Sequence, residues 1–283
     1  MECYQPSGSF KLRGIGALCE HAVAEGSKLI VCSSGGNAGM AAAYAGKMLK
    51  TNVTIVVPET TPLATRQLIE GYGAKVIVHG KVWNEANELA KQIVKDEHGF
   101  YVSPFDHPVI WKGHATLIDE MAEQMKKPDV IIASVGGGGL MCGVLEGLHR
   151  NNWSDVPVIA VETEGAAVFY NSCEAGRAIK ADTVNTIASS LASLVITEEL
   201  MHWKSQHKII PHKVSDNDTV SACLNFLDDH KVLVEPACGA ALTILYSERH
   251  RNLLKNYTNI AVVVCGGVNV TLEKLLAWNK PTA

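Results

Sequence analysis

The sequence predicts an α/β fold with two open, twisted and mostly parallel sheets flanked by helices. Three observations lead to this class. Short runs rich in β-branched residues, such as 130–135, are almost continuously apolar, which is typical of parallel strands covered on both faces. Segments with helical periodicity separate these runs, as in right-handed β-α-β units. Glycine-rich loops follow three of the strands, and such loops form the ligand-binding edge of open parallel sheets.

The first half of the chain alternates strands and helices in short steps. Pro58 ends the second strand, because proline donates no hydrogen bond to a sheet ladder. The helical period is clearest in residues 81–96, where apolar side chains recur every three or four positions. We predict strands at residues 28–32, 52–57, 74–78 and 100–102, and helices at residues 40–49, 63–72 and 81–96.

The second half repeats this alternation after a break in composition. Residues 104–108, with the sequence Pro-Phe-Asp-His-Pro, are typical of a domain boundary. We expect a small α/β domain at 14–105 and a large domain made of 1–13 and 106–283, with a cleft between them. Residues 177–196 follow neither period and receive no assignment. We predict strands at residues 130–135, 158–162 and 260–264, and helices at residues 140–149, 166–175, 218–230 and 237–251.

Composition limits the function classes. A chain of 283 residues with 47% hydrophobic and 19% charged residues fits a compact, well-buried protein. The net charge of −4 argues against a nucleic-acid or membrane-surface partner, and no apolar run is long enough to span a bilayer. The N-terminus lacks a secretory signal, so we expect a cytoplasmic protein. The eight cysteines include no C-x-x-C pair, which favours reduced thiols over disulfides or zinc ligands.

Four consecutive glycines, Gly136 to Gly139, stand between a predicted strand and a predicted helix. Backbone N–H groups at a helix start and the helix dipole bind phosphate, and glycine lets the main chain approach it. A tight structural turn is the alternative. The loop also fits part of a dinucleotide motif, with Glu162 as its acidic residue, but Met141 stands where the third glycine belongs. No Gly-Lys-Ser/Thr follows, which excludes a Walker loop.

Lys11 lies among small residues in the string Pro-Ser-Gly-Ser-Phe-Lys. Small neighbours leave room for a planar ring beside the lysine side chain. A lysine in a dry pocket loses its proton more readily and becomes a nucleophile, although a surface lysine is the structural alternative.

Two further segments follow predicted strands. Residues 33–39, Ser-Ser-Gly-Gly-Asn-Ala-Gly, offer hydroxyl, amide and helix-start N–H donors for a carboxylate, with an ordinary helix cap as the alternative. Cys265 ends a strand and precedes two glycines, where its thiol could face a pyridine nitrogen or serve as a small buried residue.

Together these segments resemble the pyridoxal-phosphate enzymes of fold type II, the tryptophan synthase β family. Within it they are most similar to the serine/threonine dehydratases, specifically the animal serine dehydratase and serine dehydratase-like group. The resemblance covers nearly the whole chain. It is carried by Pro-Ser-Gly-Ser-Phe-Lys-Leu-Arg-Gly at 6–14, Ser-Ser-Gly-Gly-Asn-Ala-Gly at 33–39, Trp-Lys-Gly-His at 111–114, Gly-Gly-Gly-Gly-Leu at 136–140, Val-Glu-Pro-Ala-Cys-Gly at 234–239 and Cys-Gly-Gly at 265–267.

The resemblance implies roles for individual residues. Lys11 would hold pyridoxal 5'-phosphate covalently, Phe10 would lie beside its ring, and Cys265 would meet its pyridine nitrogen. The cofactor phosphate would be bound by Gly136, Gly137, Gly138, Gly139 and Leu140. The substrate carboxylate would be bound by Ser34, Gly35, Gly36 and Asn37, with Asn37 also near the ring hydroxyl. A monovalent cation such as K⁺ would be held by Glu162 and the backbone of Ala166 and Leu191.

The implied reaction is β-elimination from L-serine, giving pyruvate and ammonia, and from L-threonine, giving 2-oxobutanoate. The resemblance also implies a cytoplasmic homodimer in amino-acid metabolism, including gluconeogenesis. Other readings are a serine racemase or β-replacing lyase, in which Ser often replaces the residue at 265, and a weakly active paralogue that binds the cofactor without turnover. A nucleotide-dependent dehydrogenase is disfavoured by Met141.

The sequence departs from the family pattern in three places. Relatives carry a few dozen residues before the lysine motif, so we expect that an N-terminal part of the large domain is missing here. Gly35 stands where some serine dehydratases have Ala, which we expect to loosen substrate positioning. Ala192 stands where relatives often have Gly.

Overall fold

The computed structural model describes residues 1–279, which form two compact units. We call Tyr4–His114 the lysine unit, and Met1–Cys3 together with the residues from Ala115 onward the glycine-loop unit. The predicted domain bounds of 14–105 and of 1–13 with 106–283 stay a prediction.

The lysine unit is built on a four-stranded parallel sheet with strand order β3-β2-β1-β4. Its strands are β1 (Leu29–Cys32), β2 (Asn52–Val57), β3 (Lys75–Val78) and β4 (Phe100–Tyr101), and its helices are α1 (Lys11–Ala24), α2 (Asn37–Leu49), α3 (Leu63–Gly71) and α4 (Trp83–Asp96). The two central strands are almost wholly buried, as expected for a sheet covered on both faces. Helix α5 (Pro108–Gln124) contains the point where this unit ends.

The glycine-loop unit contains a second four-stranded parallel sheet, with strand order β7-β6-β5-β8. Its strands are β5 (Val130–Ser134), β6 (Val158–Thr163), β7 (Ile209–Val214) and β8 (Ile260–Val262), and its helices are α6 (Gly139–Arg150), α7 (Val168–Ala175), α8 (Glu198–Gln206), α9 (Asp216–His230), α10 (Pro236–Tyr246) and α11 (Leu272–Trp278). Short 3₁₀ helices occupy Glu2–Tyr4, Glu164–Ala166, Ser189–Leu191 and Glu248–Leu254.

Helix α10 supplies much of the core of this unit. Ala237, Ala240, Ala241 and Ile244 pack on β5 and β6 in one buried apolar cluster. Small side chains on this face allow the helix to lie close to the sheet. The helix is therefore fixed at the sheet, and so is the segment that enters it.

The predicted class of two mostly parallel sheets flanked by helices is confirmed, because every strand pair in residues 1–279 is parallel. Several boundaries were wrong. Helix α2 begins at Asn37, three residues before the prediction. The helix predicted at 237–251 ends at Tyr246, because Ser247 adopts an extended conformation before a 3₁₀ helix. No predicted element corresponds to α1, α5, α8, β7 or α11.

All eight cysteines lie within the described residues and are free thiols. No helix within residues 1–279 has both the length and the apolar character required to cross a membrane.

Candidate active site

Lys11 is the first residue of α1 and is partly buried. The chain turns into this helix at Gly8, whose φ of 81° favours glycine. The Lys11 ammonium donates a hydrogen bond to the main-chain carbonyl of Pro104, and its Nζ lies 5.3 Å from the centre of the Phe10 ring. The amine is thus held between an aromatic ring and a carbonyl dipole, which fixes its position before any ligand binds.

His114 lies against Phe10, with ring centres 4.9 Å apart. Its side chain is 0% exposed, and neither ring nitrogen has a hydrogen-bond partner among the described residues. Burial, followed by the positive charges of Lys11 and Arg13, holds the pKa of His114 well below its usual value. His114 is therefore neutral near pH 7, and it adds no positive charge beside the lysine amine.

Two glycines explain why His114 comes so close to the start of α1. A Cβ on Gly14 would lie 2.6 Å from His114 Cε1, and a Cβ on Gly113 would lie 2.8 Å from the Gly14 Cα. Helices α1 and α5 cross at these side-chain-free positions within the lysine unit. Any larger residue at either position would push the imidazole away from Phe10.

The predicted substrate loop, residues 33–39, begins near the lysine. The Lys11 charge acts on the thiol of Cys32, the last residue of β1, although burial is the larger effect and raises the pKa of that thiol to about 11. The Gly36 N–H donates to Ser34 Oγ at 3.3 Å, and Asn37 is buried at the start of α2. The structure thus places the start of the loop within the electrostatic reach of Lys11, and the assignment of both to one site stays a prediction.

The start of this loop is anchored by a buried hydrogen-bond network that sequence reasoning missed. Ser33 and Tyr101 both donate to the side-chain oxygen of Asn87, at 2.9 and 2.6 Å. Asn87 lies on α4 and Tyr101 ends β4. The network ties the start of the loop to α4 and β4. The hydrogen-bond donors that follow Ser33 therefore begin from a fixed position.

Gly35 leaves no gap in the loop. A Cβ at this position would lie 2.7 Å from both Cγ2 and Oγ1 of Thr61, a buried residue. Thr61 thus fills the space that a methyl group at position 35 would occupy, and the expected looser positioning of the substrate stays a prediction. Thr61 was not identified from the sequence.

The glycine loop leads from β5 into α6, as predicted. Gly138 has a φ of +97° and the helix begins at Gly139. A Cβ on Gly138 would lie 3.1 Å from Thr197 and Leu200, and the Thr197 N–H donates to the Gly137 carbonyl at 2.9 Å. The loop is therefore pinned on one side, and the first N–H groups of α6, which have no partner within their own helix, can bind an anion.

Cys265 follows β8, and β8 lies beside β5 in the same sheet. Because the two strands are parallel, Cys265 and the glycine loop leave the same edge of this sheet. Its side chain is 6% exposed. A hydrogen bond with Cys238, burial, and the charge of Glu235 raise the pKa of the Cys265 thiol well above its usual value, so the thiol stays protonated.

The predicted cation ligands lie in three separate segments of the glycine-loop unit. Glu162 is 1% exposed, and its carboxylate accepts hydrogen bonds from the N–H groups of Phe169 and Tyr170, at 2.8 and 2.6 Å. Burial is the largest effect on this group and raises its pKa to about 7. Glu162 thus caps the start of α7. Its role toward a cation, with the backbone of Ala166 and Leu191, stays a prediction.

Metal-binding side chains do not cluster elsewhere. Residues 1–279 contain no group of three or more His, Cys, Asp or Glu side chains that could hold a metal ion.

The fold and the loops define a class: an α/β protein of parallel sheets, with a strand–glycine loop–helix segment in one unit and a confined lysine amine in the other. Comparison with known proteins gives the family. A sequence model described as "Pyridoxal-phosphate dependent enzyme" matches residues 1–266. The chain belongs to this family of pyridoxal-phosphate dependent enzymes.

Individual relatives agree with this assignment. The chain is 45% identical to the L-serine dehydratase/L-threonine deaminase of Homo sapiens, over 98% of this chain and 87% of that protein. Among solved structures, a fungal L-serine ammonia-lyase from Rhizomucor miehei matches with a TM-score of 0.94 and 39% identity, over 98% of this chain and 90% of that one. Maize serine racemase matches with a TM-score of 0.89 and 26% identity, over 98% and 84% of the two chains.

The residues present fit pyridoxal phosphate. Near Lys11, the buried hydroxyls of Ser7 and Ser9 have no hydrogen-bond partner among residues 1–279, so they are available to a polar ligand or to water. The glycine loop offers a site for the phosphate, and the protonated thiol of Cys265 suits an uncharged pyridine nitrogen.

Proposed function

We propose that the protein converts L-serine to pyruvate and ammonia by pyridoxal-phosphate-dependent β-elimination, and L-threonine to 2-oxobutanoate and ammonia. The relatives named above support this reaction class. The observation that carries the proposal is the confined amine of Lys11, held by Pro104 and Phe10 beside a neutral imidazole.

Lys11 is the residue proposed to hold the cofactor and then to move the proton. When bound, pyridoxal phosphate supplies an electron-withdrawing ring that stabilises negative charge at the substrate Cα. The Lys11 amine, once released, takes the Cα proton as a general base. The Pro104 carbonyl keeps the amine in place, and the neutral His114 avoids repulsion when Lys11 carries the proton.

The remaining groups bind and orient. We assign the substrate carboxylate to Ser34, Gly35, Gly36 and Asn37, where hydroxyl, amide and helix-start N–H donors meet. We assign the cofactor phosphate to Gly136, Gly137, Gly138, Gly139 and Leu140. Phe10 provides an apolar face for the ring, and Cys265 offers the pyridine nitrogen a neutral thiol.

The neutral partner at the ring nitrogen favours elimination over competing reactions. An Asp at position 265 would keep the nitrogen protonated and draw more charge into the ring, which would favour transamination. A thiol that stays protonated would draw less charge into the ring, which suits β-elimination: the hydroxyl leaves as water, and the proton that it requires is balanced by the one that Lys11 takes from Cα.

The test is pyruvate formation from L-serine by the purified protein supplied with pyridoxal phosphate, compared with Lys11→Ala and with Lys28→Ala as a matched surface control. We expect pyruvate from the wild type and from Lys28→Ala, and none above background from Lys11→Ala. Absence of pyruvate from the wild type, at saturating cofactor and serine, would refute the proposal.

Serine racemisation is the second candidate, because a serine racemase is among the structural matches. Chiral analysis of the same reaction separates the two. We expect pyruvate in large excess over D-serine, since Cys265 occupies the position where racemases often have Ser. Accumulation of D-serine ahead of pyruvate would favour racemisation.

We also propose that the enzyme is a cytoplasmic homodimer that uses a small amino-acid substrate and serves amino-acid breakdown toward gluconeogenesis. K⁺ is the proposed cation at Glu162, Ala166 and Leu191. Sedimentation of the holoenzyme at micromolar concentration tests the dimer, and replacing K⁺ by Li⁺ in the pyruvate assay tests the cation.

A further inference from the structure

The turn that follows Cys265 closes around a buried carboxylate. Gly266 and Gly267 have φ angles of 86° and 132°, which side chains rarely adopt. A Cβ on Gly267 would overlap the carboxylate of Glu235. Glycine is thus required at position 267 for two independent reasons, and one of them is the presence of Glu235.

Glu235 connects this turn to the start of α10. Its main-chain carbonyl accepts hydrogen bonds from the N–H groups of Cys238 and Gly239, at 2.8 and 3.0 Å, as the cap of the helix. Its side chain, 4% exposed, accepts a hydrogen bond from the Asn269 N–H at 3.4 Å. One residue therefore holds both the helix start and the segment that carries Cys265.

The carboxylate of Glu235 acts electrostatically on two nearby thiols. It contributes, after the Cys238 hydrogen bond and burial, to raising the pKa of Cys265. It also contributes, after burial and Cys238, to raising the pKa of Cys223.

Two titratable side chains raise the pKa of the Cys265 thiol, and both lie at the start of α10. They are Cys238, which hydrogen-bonds with it, and Glu235. Cys223 of α9 donates to the Glu235 carbonyl, with 3.4 Å between Sγ and oxygen, and Cys3 interacts electrostatically with Cys238.

We propose that Glu235 is a positioning residue for Cys265: its carboxylate fills the inside of the turn that follows the thiol, is held there by the Asn269 N–H, and places its charge beside the thiol. The consequence for catalysis rests on the proposed function, in which Cys265 meets the pyridine nitrogen. Glu235 would then limit how much negative charge the ring withdraws from the substrate Cα, by acting on Cys265 and without touching the cofactor itself.

The test measures the thiol in cofactor-free protein. Alkylation of Cys265 by iodoacetamide is followed by peptide mass spectrometry from pH 6 to pH 11 in the wild type and in Glu235→Gln. Because the pKa of the wild-type thiol is raised well above its usual value, its midpoint lies toward or beyond the top of this range, and a lower pKa is detected as faster alkylation at each pH. The matched control is Glu273→Gln, which removes the same charge from an exposed position on α11.

We expect the midpoint of Glu235→Gln to fall by about one pH unit or more, and that of Glu273→Gln to stay at the wild-type value. An unchanged midpoint in folded Glu235→Gln would overturn the inference. If that variant does not fold, Glu235→Asp is used in its place. The shorter side chain keeps the negative charge but moves it away from the thiol by one methylene group. A smaller downward shift supports the inference, and no shift overturns it.

This experiment is independent of turnover, because it uses no cofactor and no substrate. A protein that makes no pyruvate but shows the shifted midpoint would refute the proposed function and leave the role of Glu235 standing. An active enzyme with an unshifted midpoint would do the reverse.

Discussion

Single residues set the electrostatic conditions of the proposed chemistry. His114 stays neutral beside Lys11 because it is fully buried, and Cys265 stays protonated because of its thiol neighbour, its burial and Glu235. A positive charge on His114 would change the protonation of the Lys11 amine. A negative charge on Cys265 would change the protonation of the ring nitrogen that it is proposed to meet. The site therefore depends on groups that keep their protons fixed, as well as on groups that transfer them.

The burial of His114 makes stability depend on pH. The pKa of His114 is lower in the folded than in the unfolded state, so its contribution to stability is present at pH 7 and is lost as pH falls below about 6.5. His114→Gln removes this loss. We expect a smaller fall in melting temperature between pH 7.5 and pH 5 in this variant than in the wild type.

The control for this prediction is His202→Gln, which replaces an exposed histidine on α8. It should retain the wild-type dependence. Equal falls in melting temperature for His114→Gln and the wild type would show that His114 protonates as readily when folded as when unfolded.

At the scale of the element, the groups proposed to bind the cofactor and the substrate lie at helix starts and in loops. Lys11, Asn37 and Gly139 each begin a helix, so three anion-attracting helix starts accompany the proposed carboxylate and phosphate sites. Short runs of glycine allow the main chain to reach these positions. The α7 start is satisfied from within the protein, because Glu162 caps it.

Gly138→Ala tests the glycine loop. The φ of +97° and the close approach of Thr197 and Leu200 make a side chain costly there, by roughly 1–3 kcal/mol. We expect weaker binding of pyridoxal phosphate, measured by titrating its absorbance. Gly176→Ala is the matched control, since Gly176 has a φ of +67° with open space around it. If both variants bind the cofactor like the wild type, the loop does not hold the phosphate.

The Glu162 cap predicts a second pH effect, with the opposite sign to that of His114. Its pKa rises from 4.5 to about 7 on folding, so the stability it contributes is full below pH 4.5 and is lost as pH rises through about 7. The full difference is about 3 kcal/mol, an order-of-magnitude figure. Glu162→Gln cannot ionise, so we expect a smaller loss of unfolding free energy between pH 6 and pH 8.5.

Urea denaturation at the two pH values measures this effect, in buffers without K⁺ so that no cation contributes. Glu164→Gln, at an exposed neighbouring position, serves as the control. A loss in Glu162→Gln as large as that of the wild type would mean that the buried carboxyl is already ionised at pH 6.

Sequence patterns identified the strands and helices with a clear hydrophobic periodicity, and missed those in which proline or glycine interrupts that periodicity. Continuous β-branched runs gave the central strands. Strand β7 was missed because Pro211 interrupts it, which the structure tolerates since β7 pairs on one side only. Helix α1 was missed because Gly14 and Gly16 weaken its helical pattern, and Gly14 is there to admit His114.

The residues of the candidate site also fall into those that the sequence could identify and those that it could not. Loop residues with motif signals, such as Lys11 and Gly138, could be found from sequence. Residues that act through three-dimensional contacts could not: Asn87, Thr61 and Glu235 lie 54, 26 and 30 positions from the residues they support, with no local pattern to mark them. Their roles depend on burial, which sequence spacing does not encode.

At the scale of the whole molecule, the proposed base and carboxylate donors belong to the lysine unit, and the proposed phosphate loop and neutral thiol belong to the glycine-loop unit. The family assignment covers residues 1–266 and so includes both sets of residues. The central claim is that Lys11, among the lysines of this chain, holds the cofactor.

Borohydride reduction of the holoenzyme, followed by peptide mass spectrometry, tests that claim most directly. Reduction fixes pyridoxal phosphate to the lysine that carries it. The account predicts the cofactor's mass on the peptide containing Lys11, and no such modification at that site in Lys11→Ala. A modification confined to another lysine, or none on the fully loaded wild-type protein, would contradict it.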